Sequence, residues 1–405
     1  MKELYIINNG SKAAQYGIGT YITQLLSCLS ACISIQVTVI VLDSQENELT
    51  EKRTEDIRYL LFPTVRIHPS EKNSKRYARN VAYALLPYIA SDADVIFHFN
   101  YSYHIWLAEA LKSCVPHCRT ILTLHYLPWC FDLAGNMYRF QSILAAKEEK
   151  RDEFENQIYE EYLNNRRFYN EVDQVICLCH QARIFLYETY GLPIDKTILI
   201  HNGLCDDAKV LSEEERIKIK IEQGFKESEK IILFVGRINR LKGVHWLIKA
   251  FKKLLKECPE GRLVIVGDGN ISEYLGLCDG IWGKVVFTGK QDKHQLYTFY
   301  QIADLGVLPS CQEQCSYVGI EMMMHGIPLV GTDAMGISEM IDKEYQVPLN
   351  NNIGEMALST DKLSAFLLKA LANKEFLAKQ SKSCFKTYYS LDTMRWEMIR
   401  LYNGE

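Results

Sequence analysis

Two carboxylates stand eight positions apart in EQCSYVGIE, Glu313 and Glu321, and nothing between them carries a charge. Carboxylates accept hydrogen bonds from hydroxyl groups, and a further acid between them would repel a bound phosphate. Upstream, KIILFV leads into Gly236-Arg237 and then Lys242-Gly243, ahead of the apolar helical run VHWLIKAFKKLL. A guanidinium fork and an ammonium at a strand-to-helix turn, where free amides and the helix dipole already favour an anion, make a diphosphate clamp. Taken by itself the pair reads equally well as two solvated cations on a loop. It is not a kinase-type P-loop, because no Gly-Lys-Ser/Thr follows the glycines.

The elements around these residues give them a common edge. LGVLPS reads as a strand ending at Ser310, CQEQC as the loop at its carboxyl end, and Ser316 as the N-cap of YVGIEMMMH, which closes at Gly326. Glu313 then lies on the rim of a sheet. Glu321 points back toward that rim, because helical side chains tilt toward the N-terminus. The amides of residues 314–318, those of Ser316, Tyr317 and Val318 among them, form an anion-binding helix start, and Gly319 permits close approach of a ligand or a neighbouring element. A sugar nucleotide fits: one acid for the sugar hydroxyls, amides for the diphosphate, the second acid for the ribose diol. The bland alternative is a dipole-complementing acid plus an unrelated loop acid.

At 405 residues the chain is long enough for two domains of about 200 residues each. Short β-branched runs alternate with helical stretches, which reads as α/β: two doubly wound, Rossmann-like parallel sheets. Strands are expected at 3–8, 35–43, 65–68, 95–100, 120–126, 174–179 and 197–203, then at 230–238, 262–269, 284–290, 305–310 and 327–333. The polar stretch 205–230 places the boundary near residue 205, giving domains 1–205 and 206–388 with a C-terminal helix at about 389–405. The charged stretch 145–169 reads as a long solvated helix. With 48% hydrophobic and 24% charged residues the composition is globular, and a net charge of -4 argues against a nucleic-acid partner. Thirteen irregularly spaced cysteines fit reduced thiols in the cytoplasm, and no window has the length of a membrane span.

In order and spacing, FVGRINRLKG, VIVGDGN, FTGKQD, YQIADLGVLPS, the Glu313/Glu321 pair and HGIPLVGTDAMGISEMI resemble the nucleotide-sugar domain of the family 4 retaining glycosyltransferases, which have the GT-B fold. The resemblance implies two domains facing a cleft, a nucleoside-diphosphate sugar donor, UDP-sugar favoured, and no cofactor or metal. It implies that Arg237 and Lys242 contact the donor phosphates, Glu313 the transferred sugar and Glu321 the ribose, with the nucleobase near Gly267, Gly289 and Lys290. The family keeps the anomeric configuration of its sugar. NNGSKAAQYGIGTYITQLLSCL resembles its glycine-rich loop and first helix, with Gly17 and Gly19 letting the backbone approach the diphosphate, and His125 stands where the family has a histidine beside the donor sugar. Many members follow that histidine with an aspartate; here Tyr126 follows, and one of two usual glycines is missing around Gly336. The tail, with Leu391, Met394, Trp396, Ile399 and Leu401 as a helical stripe, resembles the last helix that crosses back onto the N-terminal domain. The acceptor, expected on the N-terminal side, is a glycan, a lipid-linked sugar or a peptide, and the expected location is the cytoplasm, with peripheral contact on the inner face of the membrane as an alternative.

Other motifs are weaker. Gly17-x-Gly19 followed by Asp43 lacks the third glycine and comes too far from the first strand for a nicotinamide site. Asp92-Ala-Asp94 precedes its strand and so sits at the wrong sheet end for a metal-binding D-x-D, and Cys177, Cys179 and His180 lack a second ligand pair at zinc spacing. A sugar-nucleotide hydrolase or epimerase would use the same donor pocket, and a non-catalytic binder of sugar nucleotides would be expected to have lost the clamp.

Overall fold

The computed structural model describes residues 2–10, 17–30, 32, 34–54, 57–66, 68, 70–90, 93–350 and 356–405. Its chain divides into two compact units: Met1–Leu127, Glu148–Asn202 and Leu391–Glu405 form the first, Pro128–Lys147 and Gly203–Ser390 the second. Each is built on a sheet whose central strands are buried on both faces, which is why those strands read as continuous apolar runs.

In the first unit the strands are β1 (Lys2–Asn9), β2 (Ile35–Ser44), β3 (Thr50–Thr54), β4 (Ile57–Pro63), β5 (Asp94–Phe99), β6 (Arg119–Leu124), β7 (Gln174–Cys177) and β8 (Thr197–Leu199). They lie in the order β3-β4-β2-β1-β5-β6-β7-β8, parallel except for the antiparallel β3–β4 pair at the edge. The order reverses between β1 and β5, and Asn100 and His125 each follow a strand end on the far side of that reversal. The strand expected at 65–68 is not there. Val65 lies beyond β4 and is 47% exposed, while the pairing with β2 is made by IRYLLFP, which stops at Pro63. Its edge partner, TEKRT, is polar and exposed on both faces, so alternation gave no sign of it. Asp92 of the D-x-D motif lies outside the described residues; Asp94 is exposed at the start of β5.

The expected solvated helix of 145–169 begins later, at Glu153, capped by Asp152, and runs to Glu171 with Ile158, Phe168 and Tyr169 buried on one face. The C-terminal helix Leu391–Asn403 clusters with this unit. Its buried stripe is Met394, Met398, Leu401 and Tyr402, spaced four, three and one, rather than the stripe through Trp396. At 100° per residue Trp396 falls on the opposite face from Met394; it is 57% exposed and lies under the Arg400 guanidinium. The helix end is fixed by polar contacts: Lys2 Nζ and the Arg119 guanidinium donate to the Tyr402 carbonyl, and the Tyr402 hydroxyl pairs with His98 Nδ1 at 2.7 Å.

The second unit contains β9 (Lys230–Val235), β10 (Gly261–Val266), β11 (Val285–Gly289), β12 (Leu305–Leu308), β13 (Leu329–Thr332) and β14 (Gln346–Val347), all parallel, in the order β11-β10-β9-β12-β13-β14. Here the order reverses between β9 and β12, so the carboxyl ends of those two strands flank the crevice where open α/β sheets bind ligands. At the opposite end Asp304, 1% exposed, accepts from Ile231 N at 2.8 Å and pairs with Arg216 at 2.8 Å and Lys374 at 2.5 Å. That carboxylate ties β9, β12 and two helices together, which gives the aspartate of YQIADLGVLPS a structural role. Residues 128–147, assigned from sequence to the first domain, cluster with the second unit. Trp129 stacks on Phe140 at 4.5 Å, and the backbone at Gly135 (φ +78°) lies so close to Cys311 that a Cβ there would stand 3.2 Å from the Cys311 carbonyl.

Candidate functional site

The crevice of the second unit is shaped by backbone contacts that exclude side chains. Beyond β9, β10 and β11, Gly236 N donates to Val266 O at 2.9 Å and Gly267 N to Gly289 O at 3.0 Å. A Cβ on Gly267, at φ +148°, would stand 1.8 Å from Gly236 O. Gly267 and Gly269 of VGDG are thus required by the packing of one strand-end loop on the next, Gly236 of VGR is favoured by its φ of +148°, and the Gly267 amide is occupied within the protein. Gly289 has φ +70°, and Lys290 beside it is exposed.

Arg237 projects from the turn after β9. It is exposed and has no side-chain partner among the described residues, so its guanidinium is available to an anion. The turn continues through Asn239, whose side chain caps the short turn Arg240–Lys242 by accepting from Lys242 N at 3.0 Å. Gly243 (φ +68°) then starts the helix Val244–Leu254. This turn is pressed on the loop after β12: Cys311 N donates to Leu241 O at 2.7 Å, and a Cβ on Gly243 would stand 2.0 Å from Pro309 O.

That apposition brings Lys242 and Glu313 together. The ammonium donates to Glu313 Oε1 as an ion pair, both side chains about four-fifths buried, and the Ser310 hydroxyl donates to the same oxygen at 3.3 Å. Thr332 Oγ1 holds the Ser310 carbonyl at 2.7 Å, and Gly336 N holds the Glu313 carbonyl at 3.0 Å. Gly336 is the glycine of AMGISEM, and a Cβ there would sit 1.8 Å from Gln314 O. The acid loop is therefore positioned from β13 as well as from β12.

Ser316 caps the helix Tyr317–Met324 by accepting from Gly319 N, and the helix ends through Gly326 at φ +70°. Tyr317 and Val318, partly exposed, form its first turn. The absent Cβ of Gly319 faces Leu308 and Met340, so that glycine serves helix packing on the sheet, as do the fully buried Met322, Met323 and Met324. Glu321 accepts from the hydroxyl of the buried Tyr300 at 2.7 Å, and burial raises its carboxyl above the ordinary range. Tyr300 belongs to the helix Lys293–Ile302 and was not singled out by sequence, although it opens the motif YQIADLGVLPS.

In the first unit, Gly17 and Gly19 lie in the first turn of the helix Gly17–Leu29. A Cβ on Gly17 would meet nothing within 4 Å; the stretch 11–16 before it lies outside the described residues. His125 follows β6 directly. Its Nε2 pairs with Asn100 Oδ1 at 2.9 Å, its ring lies 4.6 Å from that of Tyr21, and burial lowers its pKa to about 3, leaving the imidazole neutral. Cys177 and Cys179 are buried, and the Cys177 thiol is pushed up to about 12 by burial.

With this geometry established, the comparisons with known proteins are specific. The family described as "Glycosyl transferases group 1" matches residues 229–365 and the one described as "Glycosyltransferase Family 4" matches residues 16–207, one on each half of the chain. The chain belongs to the family 4 glycosyltransferases, of GT-B fold. It is 32% identical over 237 residues to an uncharacterized glycosyltransferase of Methanocaldococcus jannaschii, a match covering 56% of this chain and 59% of that protein, so the chain spans little more than half the length of that relative. Among solved structures it resembles sucrose-phosphate synthase from Thermosynechococcus elongatus, with a TM-score of 0.73 at 19% identity over 100% of this chain and 99% of that one. It also resembles HepE of Anabaena in complex with UDP, with a TM-score of 0.70 at 15% identity over 100% of both chains. At those identities the likeness is one of fold. Among the described residues no helix is long and apolar enough to cross a membrane.

Proposed function

We propose that the protein transfers a hexose-type sugar from a nucleoside-diphosphate donor, UDP-sugar favoured, to a hydroxyl of an acceptor, with retention of anomeric configuration and without a metal ion. The observation that carries the reading is the meeting of Lys242 and Glu313 at the strand-order reversal between β9 and β12, with Arg237 beside them in sequence and exposed, its side chain without a partner among the described residues. Family membership supports a transferase, and the UDP bound by HepE supports, at the level of fold, a nucleotide donor.

In this reading Arg237, Lys242 and the amides opening the helix Tyr317–Met324 hold the diphosphate, Glu313 accepts from hydroxyls of the sugar, and Glu321 takes the ribose diol. Binding exchanges the Lys242–Glu313 pair for the donor diphosphate on Lys242 and sugar hydroxyl donors on Glu313, so neither group is left without a hydrogen-bond partner. The bond from the anomeric carbon to the β-phosphate oxygen breaks with its electron pair going to that oxygen, where fixed cationic groups stabilise the growing charge. The acceptor oxygen bonds to the anomeric carbon on the same face, and its proton passes to the departing phosphate. His125 is assigned to hydrogen-bond a sugar hydroxyl. The acceptor is a glycan, a lipid-linked sugar or a peptide.

Arg237→Ala and Lys242→Ala test this directly. Each is expected to lower transfer from a UDP-sugar by about 10- to 100-fold or more while the thermal transition of the protein stays intact. Unchanged transfer in both variants refutes the clamp. Release of UDP that is the same with and without every acceptor offered would indicate hydrolysis instead of transfer.

A further inference from the structure

We infer that Asn100 is a positioning residue that holds His125 in the Nε2–H tautomer, so that His125 presents an unprotonated Nδ1 as a hydrogen-bond acceptor. The inference rests on the reading of His125 as a group beside the sugar, but its geometry stands within the first unit alone.

Asn100 lies one residue past β5 and is 1% exposed. Its amide has only one sensible orientation. Nδ2 donates to the Ile7 carbonyl at 3.2 Å, on the neighbouring strand β1; turning the amide over would set two oxygens against each other. With Nδ2 committed, Oδ1 faces His125 Nε2 at 2.9 Å, and a carboxamide oxygen can only accept. Nε2 must therefore carry the proton. A neutral imidazole has a single N–H, so Nδ1 bears a lone pair, and it accepts no hydrogen bond from any described residue.

One further contact fixes the ring. Tyr21 lies edge-on to it at 4.6 Å, and the Tyr21 hydroxyl is itself held by Thr123 Oγ1 at 3.0 Å; Thr123 is also bonded to His98 Nε2 at 2.7 Å. The rings of Tyr21 and His125 are inclined at 73°, a contact separate from the hydrogen bond at Nε2. Burial keeps the ring uncharged, which leaves Nδ1 able to accept a proton shared with a sugar hydroxyl. The sequence hid this arrangement, since Asn100 and His125 are 25 positions apart and meet only because β5 and β6 are neighbours.

The test is a long-range proton–nitrogen correlation spectrum of the histidine rings in the whole ¹⁵N-labelled protein at neutral pH, with His125 signals assigned by their loss in His125→Gln. The wild type is expected to show Nε2 protonated and Nδ1 unprotonated. Asn100→Ala, which removes the acceptor, is expected to give a mixture with a substantial Nδ1–H population, and Asn100→Asp, which keeps an acceptor oxygen, to restore the Nε2–H signature. An Nδ1–H signature in the wild type overturns the inference even if Asn100→Ala does not fold, and so does a pure Nε2–H signature that survives Asn100→Ala. In transfer assays Asn100→Ala should lower turnover about tenfold with the donor KM unchanged, and should add nothing in a His125→Ala background. Should the tautomer behave as stated while His125→Ala leaves transfer unaffected, the pairing stands and the assignment of His125 to the sugar falls.

Discussion

Gly243→Ala probes the contact on which the site's geometry depends. The turn after β9 and the loop after β12 touch through backbone at this position, where a methyl group would stand 2.0 Å from Pro309 O and 2.8 Å from Pro309 C. Neither neighbour is the end of a flexible side chain, so one loop must retreat. The left-handed conformation at φ +68° adds about 1–2 kcal/mol for any residue with a Cβ. Forcing the loops apart adds about 1–3 kcal/mol, typical of overpacking a closely packed contact. Together these come to about 2–5 kcal/mol, or roughly 4–20 °C in Tm for a unit of this size. A useful control is Gly276→Ala, at φ -60° with nothing within 4 Å of the new methyl, which should change stability by less than about 1 kcal/mol. Thermal unfolding of both variants by circular dichroism, followed by titration with UDP, separates the two consequences. Gly243→Ala should melt early and, where still folded, bind UDP more weakly, because retreat of the Pro309 loop carries Ser310 and Glu313 away from Lys242. A Gly243→Ala protein with wild-type Tm and wild-type affinity would refute the reasoning.

Two other outcomes follow from buried carboxyl groups. Asp304→Ala leaves Arg216, Lys374 and the 3% exposed Lys220 without their shared counter-charge, and should lower stability by about 3–5 kcal/mol in urea denaturation. Burial opposes ionisation of Asp304, but Lys374 and Arg216 outweigh it and hold the carboxyl below its ordinary range; its contribution is present above the unfolded pKa and is lost as pH falls through the folded one. An Asp304→Ala protein as stable as wild type would show that the network contributes nothing net. Glu321 has the opposite sign. Burial raises its pKa, so its effect on stability is most favourable below the ordinary glutamate range and declines as pH rises through the raised value. Ribose binding needs the ionised form, so UDP affinity should weaken as pH falls through that value, and Glu321→Gln should bind more weakly with a flatter profile. Identical pH profiles for wild type and Glu321→Gln would remove Glu321 from the ribose site.

The parts of the fold read from sequence were those with local causes. Buried parallel strands such as β1, β2, β9 and β10 are unbroken apolar runs, and Ser316 and Gly326 mark a helix start and stop by their own backbone chemistry. What could not be read depends on partners distant in the chain. β3 has no apolar face, so only its pairing with β4 makes it a strand. Residues 128–147 precede the second unit's main stretch by more than fifty positions, and join it through Gly135 and Cys311. At the site, residue types pointed to Lys242 and Glu313 singly, whereas their ion pair, the Tyr300 bond to Glu321 and the Asn100 bond to His125 arise from strand neighbours and packed helices. The glycines were legible as glycines, but the structure assigns them differently: Gly243, Gly267 and Gly336 admit other backbone segments, whereas a Cβ on Gly17 or Gly289 would meet nothing within 4 Å.

The most direct test is isothermal titration of the whole chain with UDP, GDP and ADP, repeated on Arg237→Ala and Lys242→Ala. At least one of the three should bind at a single site, and each substitution should weaken it by about 10- to 150-fold, the loss of one hydrogen bond to a charged group. No binding of any nucleoside diphosphate, or binding indifferent to both substitutions, would contradict a diphosphate site at the reversal between β9 and β12.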